Sequence, residues 1–176
     1  INKILRTGSK VAICDQVEPA KAGKLVRREV TRILTPGTTL EASQVIENQN
    51  QYLLAISISK KHIHAAWLDL STGAFGIATD PNAINLLPVF NGLDPKEVLV
   101  PEIAYGTWKS NPELAQWWDQ FESFMHGRPL SCLPDYQFDP ISGVKLVMDS
   151  LGVLNLEGFG ISREHPALGS AGALLA

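Results

Sequence analysis

Asp69 is the residue whose type and setting come nearest to catalysis. It lies between Leu68 and Leu70 in an apolar segment. A strand carboxylate in an α/β sheet can hold a catalytic Mg2+ when two or three others converge on it. The remaining candidates, Glu97, Asp119, Asp135 and Asp149, show no motif spacing. The plainer role is structural. Asp69 precedes Ser71-Thr72-Gly73, a turn, and its carboxylate can accept the backbone N–H of Ser71 or Thr72. With so many partners missing, the turn-capping role is favoured over a metal-dependent nuclease.

Other chemical patterns fall short in the same way. His62 and His64 are two apart on a strand and face the same side. Zinc needs a third ligand, and His126 and His165 are remote in sequence, so a solvated strand edge is expected. Gly23-Lys24 fails as a phosphate loop: Glu18 stands where the first Gly belongs and Leu25 where Ser or Thr belongs. Gly158-Phe159-Gly160 lacks its third Gly, since Arg163 occupies that place. Trp108, Trp117 and Trp118 could stack on bases. Adjacent helical residues point about 100° apart, however, and Glu113, Asp119 and Glu122 make the surroundings acidic, so packing is expected.

These side chains need elements to hold them. Lys10 to Gln16 and Leu25 to Thr35 read as strands, and Thr35-Pro36-Gly37-Thr38 as a turn in which Gly supplies a positive φ. The polar stretch Glu41 to Gln51 reads as a linker. Tyr52 to Ser59, Ile63 to Leu70 and Ala74 to Thr79 are three strands joined by short polar turns, an antiparallel meander. Asn82 to Phe90 reads as a helix interrupted by Pro88, and Glu97 to Val100 as a buried strand of the parallel type. Asn111-Pro112 opens a helix with Leu114, Trp117, Trp118 and Phe121 inward. Asp139-Pro140 opens another with Ile141, Val144, Val147, Met148 and Leu151 on one side. The fold class expected is α/β: a three-strand antiparallel meander plus parallel strands in one mixed sheet, flanked by helices.

Composition agrees. The chain has 176 residues, 45% hydrophobic and 19% charged, which excludes disorder and coiled coil. Cys14 and Cys132 are the two cysteines, too few for a disulfide framework and suited to a reducing compartment. No apolar stretch approaches the ~20 residues of a membrane helix. Charge is uneven. Residues 1–40 carry +5 and residues 41–176 carry −8, within a net −3. Lys24, Arg27, Arg28 and Arg32 are the candidates for contact with a DNA backbone. Arg27 and Arg28, adjacent on a strand, face opposite sides. With Ile1 at one end and the apolar run Ala171 to Ala176 at the other, a piece of a longer protein is expected.

Five ordered stretches carry a resemblance. They are Thr7 to Glu18 (TGSKVAICDQVE), Lys24 to Thr38 (KLVRREVTRILTPGT), Tyr52 to Ile56 with Ala65 to Phe75 (AAWLDLSTGAF), Leu156 to Ile161 (LEGFGI) and Ala171 to Ala176 (AGALLA). Together they resemble the MutS family of DNA mismatch-repair ATPases. Ser9 and Asp15 depart from the Tyr and Glu usual there, and Pro19 follows Glu18 directly.

The resemblance implies a layout. Residues 1–40 would be the C-terminal part of the mismatch-binding domain, 41–51 a linker, 52–162 a ribonuclease-H-like connector domain, and 163–176 the start of the helical core (lever) domain. It implies a non-catalytic connector that relays between the DNA-binding and ATPase domains and offers a docking surface to MutL. The nuclease reading on Asp69 is the alternative. No cofactor is implied for this piece, ATP and Mg2+ belonging to the whole protein. Implied partners are a MutL-type matchmaker, other MutS domains and mismatched duplex DNA, bound weakly at most by this piece. A bacterial cytoplasmic location is implied, without a membrane.

Overall fold

The computed structural model describes residues 1–5, 7–19, 23, 25–37, 50–59 and 62–176. A single turn of helix, α1 (Asn2–Leu5), precedes a two-stranded antiparallel sheet of β1 (Val11–Gln16) and β2 (Arg28–Leu34). Five further strands form a second sheet: β3 (Tyr52–Ser59), β4 (His62–Asp69), β5 (Phe75–Asp80), β6 (Glu97–Pro101) and β7 (Leu130–Leu133). Their order is β5-β4-β3-β6-β7. The β3–β4 and β4–β5 pairs are antiparallel, and β3–β6 and β6–β7 are parallel. Mixed α/β architecture with a meander is therefore what the chain adopts. The linker stretch 41–49 and the Lys60-Lys61 connection lie outside the described residues.

Alternation along the strands builds two cores. Leu54, Ile56, Ile63, Ala65, Val98 and Val100 point to one face. There they meet aromatic side chains of α2 (Leu87–Leu93), α3 (Glu102–Trp108) and α4 (Ala115–Met125). Ala55, Ala66 and Leu99 point to the other face, toward α5 (Pro140–Leu151) and α6 (Leu168–Leu175). Because β3 and β6 are covered on both sides, Leu53 to Ile56 and Glu97 to Pro101 are buried without a break. Trp108, Trp117, Trp118 and Phe121 pack on one another, Trp117 and Phe121 stacking with centroids 4.4 Å apart. The tryptophans are core, as expected.

Local signals hold where they are capped locally. Asn111 accepts the Glu113 N–H at 3.0 Å, and Asp139 accepts that of Ser142 at 2.9 Å. Elsewhere tertiary contacts alter the expectation. Pro88 does not interrupt a helix. Ala83–Asn85 is a separate 3-10 turn, and Pro88 sits in the first turn of α2, where a missing N–H has no partner to lose. On α5 the buried residues are Gly143 and Val147, whereas Ile141 is 82% exposed and Leu151 45%. The reason is that α6 lies against the Gly143 side. Gly37 does not take a positive φ. Its requirement is space: a Cβ there would stand 2.7 Å from Glu97 Cβ and against the Leu53 side chain.

Strand β7 and helix α3 were not expected. Helix α3 has no side-chain cap of its own. Asp135, some thirty residues onward, supplies it by accepting the N–H groups of Ile103 (2.9 Å) and Ala104 (3.3 Å). A cap borrowed across the fold leaves no local motif. Asp135→Ala is expected to lower the stability of the α/β unit by about 1–2 kcal/mol. A urea midpoint shift would report it, and an unchanged midpoint would show that α3 does not depend on this cap.

Candidate functional site

Asp69 closes β4, and its side chain is fully buried. Oδ1 accepts the Gln51 N–H (2.9 Å), the Ser71 N–H (3.0 Å) and the Ser71 hydroxyl (2.8 Å). Oδ2 accepts the Thr72 hydroxyl at 2.7 Å. Burial raises its pKa, but the hydrogen bonds from Gln51, Thr72 and Ser71 outweigh it and hold the carboxyl at about 2. This is a saturated turn anchor that pins the entrance of β3 to the exit of β4. Among the described residues no three His, Cys, Asp or Glu side chains are grouped to hold a metal ion. The nuclease alternative on Asp69 finds no support in this geometry.

His62 and His64 do share a face, with rings parallel and centroids 6.5 Å apart. The expected solvated edge applies to His62 alone. His64 is buried, because β4 runs between β3 and β5. Its Nε2 meets the Ser59 hydroxyl at 2.8 Å and its Nδ1 the Thr79 hydroxyl at 3.1 Å. Burial, then repulsion from His62 and His165, lowers its pKa to about 4. Hydroxyls donate or accept, so a neutral ring is satisfied in either tautomer.

Of the DNA-backbone candidates, Arg27, Arg28 and Arg32 are among the described residues. Lys24 lies outside the described residues. Arg27 pairs with Glu29 at 2.5 Å, both well exposed. On a regular strand Arg28 and Arg32 would share a face. Here Ile13 pairs with Arg32 and Cys14 with Val30, so Thr31 is an extra residue on β2. That bulge reverses the alternation and puts Arg28 and Arg32 on opposite faces.

Two buried polar joints stand out instead. Glu97 opens β6 and is 1% exposed. Its Oε2 accepts the Thr35 hydroxyl at 2.5 Å and the Gly37 N–H at 2.9 Å, and its Oε1 accepts the Ser131 hydroxyl on β7. One carboxylate thus ties the turn after β2 to both parallel strands. The second joint is Ser170, fully buried on α6. Its hydroxyl meets Ser57 Oγ at 2.9 Å and donates to the His64 carbonyl at 3.0 Å, which sets α6 on β3 and β4. Sequence reasoning placed Glu97 among the scattered carboxylates and passed over Ser170. The available signal was a polar residue in an otherwise apolar buried run, which must find partners inside the fold.

Comparison with known proteins places these joints. The family model "MutS domain II" matches residues 51–176, and "MutS domain I" matches residues 1–43. The chain belongs to the MutS family. Similar relatives named DNA mismatch repair protein MutS come from Nostoc punctiforme (37% identical, 98% of this chain), Syntrophobacter fumaroxidans (36%, 100%) and Treponema denticola (31%, 99%). The chain spans about a fifth of the length of these MutS relatives, 19–20% of each. Thr35 and Gly37 fall in the part matched to MutS domain I, and Glu97 in the part matched to MutS domain II. The Glu97 joint therefore links the two MutS domains. Among the described residues no helix is long and apolar enough to cross a membrane.

Proposed function

We propose that this chain is the non-catalytic connector region of a mismatch-recognising DNA repair ATPase. It relays between the mismatch-binding end and the ATPase end and offers a docking surface to a MutL-type matchmaker. The observation that carries the reading is the pair of buried joints. Glu97 fastens the hairpin side to the sheet, and Ser170 fastens α6 to it. A relay needs firm attachment at both ends and no reactive group. The most catalytic-looking carboxylate, Asp69, is saturated by structural hydrogen bonds.

A ribonuclease-H-like connector over residues 52–162 fits the meander joined to two parallel strands. Residues 1–40 would then end the mismatch-binding domain, 41–51 would link, and 163–176 would open the core domain through α6. ATP and Mg2+ would be bound elsewhere in the whole protein. DNA contact by this piece is weak and sequence-blind, since its arginines are divided between faces.

The test is a titration of the isotopically labelled chain with MutL from the same source. Amide shifts are expected on the α/β unit, where Ile141, Leu151, Leu154 and Phe159 leave apolar surface exposed. No shift at saturating MutL would remove the docking role. In parallel, binding to matched and mismatched duplexes is measured at two salt concentrations. Weak binding that falls with salt and ignores the mismatch is expected. A clear mismatch preference would show that this region itself reads DNA.

A further inference from the structure

We propose that the Glu97 carboxylate is the latch that holds the β1–β2 hairpin unit on the α/β unit, and that its release passes a displacement of the hairpin to the sheet. The second half rests on the relay reading above. Glu97 is 1% exposed, yet among the described residues no cation is paired with it. A buried carboxylate without a counter-ion is tolerable only while hydrogen-bond donors surround it. Here the Thr35 hydroxyl, the Gly37 N–H and the Ser131 hydroxyl do so. Two of those three belong to the turn that ends the hairpin unit. Ser131 sits on the sheet and stays whatever the hairpin does.

Withdrawing the turn strips the buried charge of most of its donors. The joint thus has two arrangements and little between them. Either the turn is seated and the carboxylate satisfied, or the turn is out and the start of β6 must rearrange to reach water. Position sharpens this coupling. Glu97 pairs in register with Leu53, so it stands where the two central parallel strands begin. Gly37 fills the slot between them, with no room for a Cβ against Leu53 or Glu97. A pull on the turn acts directly on β3 and β6.

The experiment reads amide exchange and backbone relaxation in the isotopically labelled chain without DNA or partner, and then repeats the MutL titration on each variant. In Glu97→Met, which keeps the length of the side chain but has no oxygen, both turn donors lose their acceptor. The Gly37 amide is expected to exchange about tenfold faster or more. The β1–β2 amides should tumble faster than the sheet, while β3 and β4 exchange within about twofold of the parent. Glu97 is a core residue, so two variants on the turn guard against simple misfolding. Thr35→Val removes one donor and Gly37→Ala fills the slot, and both should release the hairpin in the same direction. Unchanged Gly37 exchange in Thr35→Val, together with unchanged tumbling of the β1–β2 amides in both turn variants, overturns the latch. So does acceleration of the β3 and β4 amides as large as that of the hairpin in all three, because the whole sheet would then be loosened rather than the hairpin released. If the hairpin is released but the MutL-induced shifts persist unaltered, the latch stands and transmission through it is wrong.

Discussion

Gly143→Ala is expected to destabilise the α/β unit by about 2 kcal/mol or more, against the sign that helix propensity gives. In a helix interior, replacing Gly by Ala ordinarily stabilises by about 1 kcal/mol. Gly143, however, lies on the face of α5 that meets α6. A Cβ there would press into the Leu168 carbonyl, whose carbon would stand at 2.7 Å. Opposite it, a Cβ on Gly172 would stand 2.6 Å from the Gly143 Cα. The obstacles are backbone atoms, and backbone cannot rotate away as a side chain can. The two helices would have to separate, which would lift α6 from Ser57 and His64. Gly106→Ala is the control. It lies on α3 with nothing within 4 Å of its would-be Cβ, so neutral or stabilising behaviour is expected. Urea unfolding followed by the near-ultraviolet signal of Trp67, Trp108, Trp117 and Trp118 separates the two. Equal midpoints for both variants would show that α5 and α6 are not in tight register.

Asp69→Ala is expected to cost about 3–4 kcal/mol, since it orphans the Gln51 and Ser71 N–H groups inside the fold. The linkage to pH has a definite sign. The folded carboxyl titrates at about 2, below its ordinary 3.8. Its contribution is therefore fully present above pH 3.8 and is lost as pH falls through about 2. The gap in unfolding midpoint between the parent chain and Asp69→Ala should narrow, without closing, as pH falls through that window, because the protonated carboxyl still accepts from some of its donors. A gap that does not narrow with acid would mean that the variant damages something other than this charged anchor. A nuclease would behave differently. Mg2+- or Mn2+-dependent cleavage lost in Asp69→Asn would place chemistry at a carboxylate whose hydrogen-bonding capacity is already taken up.

How much of this was legible in advance depends on the range of the interactions. The meander was readable because apolar alternation, β-branched residues and the Ser71-Thr72-Gly73 turn are all local. So was the turn-anchor role of Asp69, whose hydroxyl donors lie two and three residues away. The helix starts at Asn111 and Asp139 were readable because each cap is within three residues. Helix α3 was not, because its cap comes from Asp135. The inward side of α5 was legible in part: Val144, Val147 and Met148 do pack on the second core, whereas Ile141 and Leu151 stay exposed, because the contact with α6 is made where a side chain is missing, at Gly143.

The candidate site divides along the same line. From the sequence alone came the MutS family, through five ordered stretches, together with the mixed α/β class and the separation of a basic first part from an acidic second. Charge alone also suggested a basic DNA-contacting stretch. The β2 bulge at Thr31 redistributes those arginines, and a bulge depends on the pairing partner rather than on β2 itself. Only the tertiary structure showed that Glu97 is the joint between the two matched domains. Its donors are 60 and 62 residues away on one side and 34 on the other. A buried charge needs partners, and the sequence names the charge. Which partners arrive is decided when the strands and the turn are brought together.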